Sequence, residues 1–274
     1  MFTLSLVACA LLVAQKPAAP PKAVAQDAAP LFTRVAVIGA SASAGFNLQI
    51  SLADALDAQI AVAHEAPKSF AKESMFLSPE KVGTEQVTKV VALAPTLVVA
   101  ADFLFWFGYG EVTAEAERLE NLDAGLALLE PVKCPLIVSH FPDMTPAVGK
   151  MLMLSQLPKP ETLKALDARL DAWAKKRGRV AFVAMPEMLS KLRSGEKWKL
   201  GGVAIEPATQ KSRWMQPDEL HPTARGLGVL ARLCIDVACA PPLTAKPEEF
   251  RADLAPVLDT LHDLDASRAK TRIR

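Results

Sequence analysis

Five short apolar runs recur along this chain, each too brief for a helix, and they alternate with longer segments of helical periodicity. The runs cover residues 35–38, 59–64, 96–101, 135–139 and 179–184. Residues 79–94, 113–129 and 161–177 carry apolar side chains at three- and four-residue spacing. Thr113 reads as an N-cap, with Glu115 and Glu117 in the first turn behind it. Strands that read as unbroken apolar runs and alternate with helices belong to a parallel sheet covered on both faces. Further helices are expected over residues 186–193, 222–238 and 247–268, with 65–78 and 197–216 as connections. No repeat or second composition regime appears, so residues 31–274 read as one α/β domain.

The N-terminus is of another kind. Residues 4–14 are almost wholly apolar, yet too short to span a bilayer. Ala23-Val24-Ala25 before Gln26 has the small-residue form of a cleavage site. Residues 1–25 are therefore expected to be a secretory signal and 26–30 a Pro/Ala-rich spacer. The mature protein would be exported, periplasmic or secreted, with no stable membrane span. Leu6-Val7-Ala8-Cys9 also has the form of a lipoprotein processing box, which makes lipid anchoring at Cys9 the alternative. A net charge of +1 over 274 residues offers no basic footprint for nucleic acid. The four cysteines lack metal-ligand spacing, so no metal is expected; they read as buried free thiols, with a disulfide after export as the alternative.

The first apolar run breaks into Gly39-Ala40-Ser41-Ala42-Ser43-Ala44-Gly45, and a helical pattern follows through Leu48, Leu52 and Leu56. A strand, a tight turn and a helix in succession lift one hydroxyl above the sheet edge, and Ser41 is the residue placed there. A serine needs a base to take its proton, usually a histidine oriented by a carboxylate. Of the four histidines, His221 has the best-spaced carboxylate neighbour, Asp218, in the turn ahead of the helix that Pro222 is expected to open. Ligands of parallel sheets bind beyond the carboxyl ends of the strands, where Ser41, Asp102 and His140 would lie.

The run Gly39–Gly45 resembles the first block of the SGNH (GDSL-type) hydrolases, where Gly-Asp-Ser-Leu carries the nucleophile. Asp218-x-x-His221-Pro222-Thr223 resembles that family's last block, and the order along the chain also matches. The resemblance covers roughly residues 34–238, and the last block is its more specific part. It implies a three-layer α/β/α sandwich on a five-stranded parallel sheet, flavodoxin-like. It also implies cofactor-free ester hydrolysis, with Ser41 as nucleophile, His221 as base then acid, and Asp218 as the orienter of His221. The backbone N–H groups of Ser41 and Gly83 would be oxyanion donors. The sequence departs from the family twice. Ala40 stands for the first-block Asp, and the third-block region from Ala100 to Trp106 has no Asn to bind the oxyanion. Asp102, Phe105, Trp106, Tyr109 and His140 are candidate substrate contacts, and the aromatic run could line an acyl pocket. The missing Asn supports an alternative, a weakened family member that acts as an exported ligand-binding protein. A phosphate-binding turn has the wrong glycine spacing, and Ser43 breaks the Gly-x-Ser-x-Gly elbow of α/β-hydrolases.

Overall fold

A computed structural model describes residues 30–272; the expected signal segment and Cys9 lie outside them. Five parallel strands form the sheet in the order β2-β1-β3-β4-β5. They are β1 (Arg34–Val37), β2 (Glu65–Ser69), β3 (Leu97–Ala100), β4 (Leu136–Ser139) and β5 (Val180–Val183). Every residue of β3 and β4 is buried, as expected for central strands covered on both faces. Helices flank the sheet to make a three-layer α/β/α sandwich. One group is α2 (Leu52–Asp57), α9 (Ala224–Ala238) and α10 (Ala255–Arg272). The other is α3 (Pro79–Leu93), α5 (Glu117–Leu129) and α6 (Pro160–Arg177). Four further α-helices among the described residues are α1 (Ser41–Ala44), α4 (Phe105–Gly108), α7 (Met185–Ser194) and α8 (Pro207–Trp214).

The chain leaves β1 toward β2 on one side and returns to β3 on the other. The carboxyl ends of β1 and β3 therefore part at a topological switch point, where such sheets bind ligands. Ser41 follows β1 there and Asp102 follows β3.

The structure corrects the second strand. Residues 59–64 are not in the sheet; the polar segment Glu65–Ser69, expected as loop, is β2. An edge strand can be polar, and Pro67 with Lys68 on this edge discourages pairing with another chain. Only the start of the apolar run is buried, while residues 61–63 are exposed. Ile60 is 3% exposed and bridges Phe250 antiparallel, while Gln59 donates to Ala55 O at 3.1 Å and Gly228 O at 2.9 Å.

Three helix boundaries also move. Helix α5 starts at Glu117, whose carboxylate accepts the N–H of Thr113 and Ala114, so Thr113 is not its cap. Pro222 lies ahead of α9, whose N-cap is Thr223, the hydroxyl accepting Gly226 N–H at 3.1 Å. The last helix starts only at Ala255, after a single turn at Pro247–Glu249. The connection at 197–216 holds a hairpin, β6 (Trp198–Leu200) with β7 (Val203–Ile205), and then α8. Cys134, Cys234 and Cys239 are free thiols, and no described helix is long and apolar enough to cross a membrane.

Candidate active site

Ser41 opens α1, directly above β1. Gly45 ends that short helix at φ 87°, and a Cβ there would lie 1.8 Å from Ile50 O. The turn beneath Ser41 is gripped by two buried side chains. Gln86, from the buried face of α3, accepts Gly39 N–H at 2.8 Å and donates to Gly39 O at 2.9 Å. Asp102 accepts Ala40 N–H at 3.1 Å, Ser43 N–H at 3.1 Å and Ser43 Oγ–H at 2.6 Å. A Cβ on Gly39 would sit 2.0 Å from the Asp102 carboxylate, so only glycine fits this close approach. The carboxylate facing this turn thus comes from the end of β3, while Ala40, where the resemblance expects an Asp, is fully buried. Burial pushes the Asp102 carboxyl up, against the donors from Ser43, Ala40 and Ala42 that favour its charge.

His221 arrives from the opposite side, in the loop before α9. Its Nε2 is 2.8 Å from Ser41 Oγ, and its Nδ1 is 2.8 Å from Asp218 Oδ2. The other Asp218 oxygen accepts the backbone N–H of Leu220 and His221, both at 3.0 Å. Burial alone would raise the Asp218 carboxyl, but these N–H groups and the His221 ring hold it below the usual carboxylate range. Phe46, just past the α1 turn, stacks on the imidazole with centroids 4.2 Å apart. Gln216 ties the two sides together, donating to Phe46 O and Pro222 O at 2.8 Å each. The arrangement can pass a proton from the Ser41 hydroxyl to an imidazole whose other nitrogen faces an ionised carboxylate.

The other sequence-expected residues divide. Phe105 lines a narrow apolar slot beside Ser41 and His221, with Pro142, Met144, Met185, Leu189 and Leu220. Asp102 touches the same slot, yet its oxygens are engaged by the turn, so it is a positioning residue there rather than a substrate contact. Trp106 lines a separate cleft with Phe76. Tyr109 is 2% exposed and its hydroxyl donates to Pro142 O. His140 lies away from the slot, bonded to Asp171 at 2.8 Å and stacked on Phe182. Gly83 is a correction. It sits inside α3, where its N–H belongs to the helical ladder and a Cβ would meet Leu128 and Phe103, so it packs helices and does not line the slot.

Sequence reasoning missed Gln86, Phe46 and the methionine and leucine walls of the slot. A signal existed for Gln86, a lone polar residue on the buried stripe formed with Gly83, Val87 and Val90. Among the described residues no group of three or more His, Cys, Asp or Glu side chains is placed to hold a metal ion.

No protein-family model matches this sequence, and no curated protein matches it. Solved structures do. The chain is similar to a lipase/acylhydrolase from Enterococcus faecalis at a TM-score of 0.50 and 15% identity, over 75% of this chain and 94% of that one. It is also similar to a gut microbial diltiazem-metabolizing enzyme at a TM-score of 0.50 and 13% identity, over 76% of this chain and 47% of that one. What the chain shares with them is the fold. TesA aligns at a TM-score of 0.47 and 18% identity, over 77% of this chain and 99% of TesA.

Proposed function

We propose that this protein is a serine hydrolase that cleaves carboxylic esters through Ser41, His221 and Asp218. The observation that carries this reading is the unbroken hydrogen-bond path from Ser41 Oγ through the His221 ring to Asp218, with both links at 2.8 Å. In this mechanism Ser41 Oγ attacks the ester carbonyl carbon while His221 Nε2 takes the hydroxyl proton. The tetrahedral adduct collapses, and the alcohol leaves with that proton. A water, deprotonated by His221, then attacks the acyl-serine and releases the acid, and Ser41 regains its proton. Asp218 keeps Nδ1 protonated and stabilises the imidazolium. Ser41 N–H, at the first position of α1 and without an intrahelical acceptor, is one oxyanion donor. The similarity in fold to a lipase/acylhydrolase supports the same class.

A second reading, a binding protein with little turnover, draws on one observation. Gly83 is bound into α3 and the third-block region has no Asn, so two of the oxyanion donors that the resemblance implies are missing from the slot. Each missing donor lowers turnover by about 10²–10³, so the expected enzyme is slow and real. Hydrolysis of p-nitrophenyl acetate by the parent chain and by Ser41→Ala separates the readings. Turnover that Ser41→Ala abolishes supports the hydrolase, and equal rates in both support the binder. Export with a cleaved N-terminal segment belongs to the proposal, and N-terminal sequencing of natively made protein checks it: a start at Gln26 supports it, and an intact Met1 refutes it.

A further inference from the structure

The ester can be narrowed from the slot beside Ser41, an inference that rests on the hydrolase reading above. We propose that the acyl group is two or three carbons long, so that the substrates are acetyl-type esters and not long-chain lipid esters. The slot has a volume of about 30 Å³. That is room for one or two water-sized groups, which matches the methyl of an acetyl once its carbonyl carbon lies against Ser41 Oγ. Its apolar lining, Phe105, Pro142, Met144, Met185, Leu189 and Leu220, offers nothing to a charged acyl tail.

The walls are not free to part. Met144, Leu189 and Met185 are 1%, 5% and 8% exposed and belong to the core. Pro142 O accepts the Tyr109 hydroxyl, Asp143 O accepts Arg193 Nη1, and Arg193 Nη2 lies 3.4 Å from Met144 Sδ. Admitting a longer chain means displacing close-packed side chains. The larger space nearby does not extend the slot. A cleft of about 420 Å³ is lined by Phe76, Trp106, Tyr109, Glu80 and Glu111, and neither Ser41 nor His221 lines it. Phe105 separates the two, stacked on Tyr109 at 4.2 Å and edge-on to Trp106 at 5.0 Å.

The test is kcat/KM of the full chain on p-nitrophenyl acetate, butyrate and octanoate, with Ser41→Ala as the control. The expected result is a fall of about tenfold or more from acetate to butyrate, and a further fall to octanoate. Met185→Ala and Leu220→Ala, each checked for native circular dichroism, should move the preference toward butyrate by enlarging the slot. Ser41-dependent turnover that is as fast on octanoate as on acetate overturns the chain-length inference alone. So does a parent ranking of the three esters that both folded variants keep. Absence of any Ser41-dependent turnover removes the hydrolase reading, and the inference falls with it.

Discussion

The turn that carries Ser41 and the loop that carries His221 solve one problem in different ways. Each must hold a side chain to within a few tenths of an ångström. The turn does so from inside the core, where Ser43, Gln86 and Asp102 are 0%, 1% and 5% exposed and bond the backbone from Gly39 to Ser43. The loop does so at the rim. Asp218 and Glu219 keep 16% and 15% of their side chains exposed, and Glu219 pairs with Lys211 at 2.7 Å and Lys150 at 3.5 Å. A polar bond in the core stabilises fold and site together, because an unmade bond there strands a buried group. A rim bond is partly replaceable by water. Damage to the turn should therefore lower stability, and damage to the loop should lower turnover.

The largest effect expected is on the loop side. Asp218→Asn should lower kcat by about 10³–10⁴, because the amide no longer secures the Nδ1–H tautomer or the imidazolium. Its loss of unfolding free energy at neutral pH should be smaller than that of Asp102→Asn; an equal or larger loss would erase the contrast between loop and turn. On the turn side, Asp102→Asn should cost about 3 kcal/mol of unfolding free energy by urea titration. The amide nitrogen of the variant would face a backbone N–H that now has a carboxylate oxygen. Gln86→Leu removes the acceptor of Gly39 N–H and one of the two donors to Gly39 O, the other being Lys72 N–H, and should cost about 2 kcal/mol.

The two carboxylates also titrate in opposite senses. Asp218 has a folded pKa below its ordinary 3.8. It contributes stability in full above that value and loses it as the pH falls through the folded pKa. Asp102 has a folded pKa above 3.8, so its ionisation costs stability as the pH rises through that range. Unfolding measured between about pH 3 and about pH 6 should give a parent-minus-Asp218→Asn difference that rises with pH. The parent-minus-Asp102→Asn difference should fall. Slopes of the same sign would contradict the burial contrast.

What could be read from the sequence follows the same division. The central strands β1, β3 and β4 were legible because strands covered on both faces must be apolar throughout, and edge strand β5 was legible because Val180-Ala181-Phe182-Val183 is apolar and largely buried as well. Edge strand β2 was not, because Glu65-Ala66-Pro67-Lys68-Ser69 needs only one neighbour and faces solvent. The pairing of Asp218 with His221 was legible because three residues of one turn bring them together. The meeting of His221 with Ser41 spans 180 residues of sequence, and it was reached through the family resemblance and the strand order. Gln86 and the slot walls were hidden for the opposite reason. They lie far from Ser41 in sequence, and their residue types are ordinary for a core until the fold sets them beside the turn. The Gly83 expectation failed because a glycine early in a helix serves close helix packing as readily as it serves an oxyanion.

The central claim is that His221 activates Ser41. The most direct measurement is fluorophosphonate labelling of the native chain, with the modified residue mapped by mass spectrometry and the rate compared in His221→Ala. The account predicts a single adduct on Ser41 and a rate in His221→Ala lower by a factor of about 10³ or more. No adduct on Ser41 in folded protein, or an undiminished rate in His221→Ala, would contradict it.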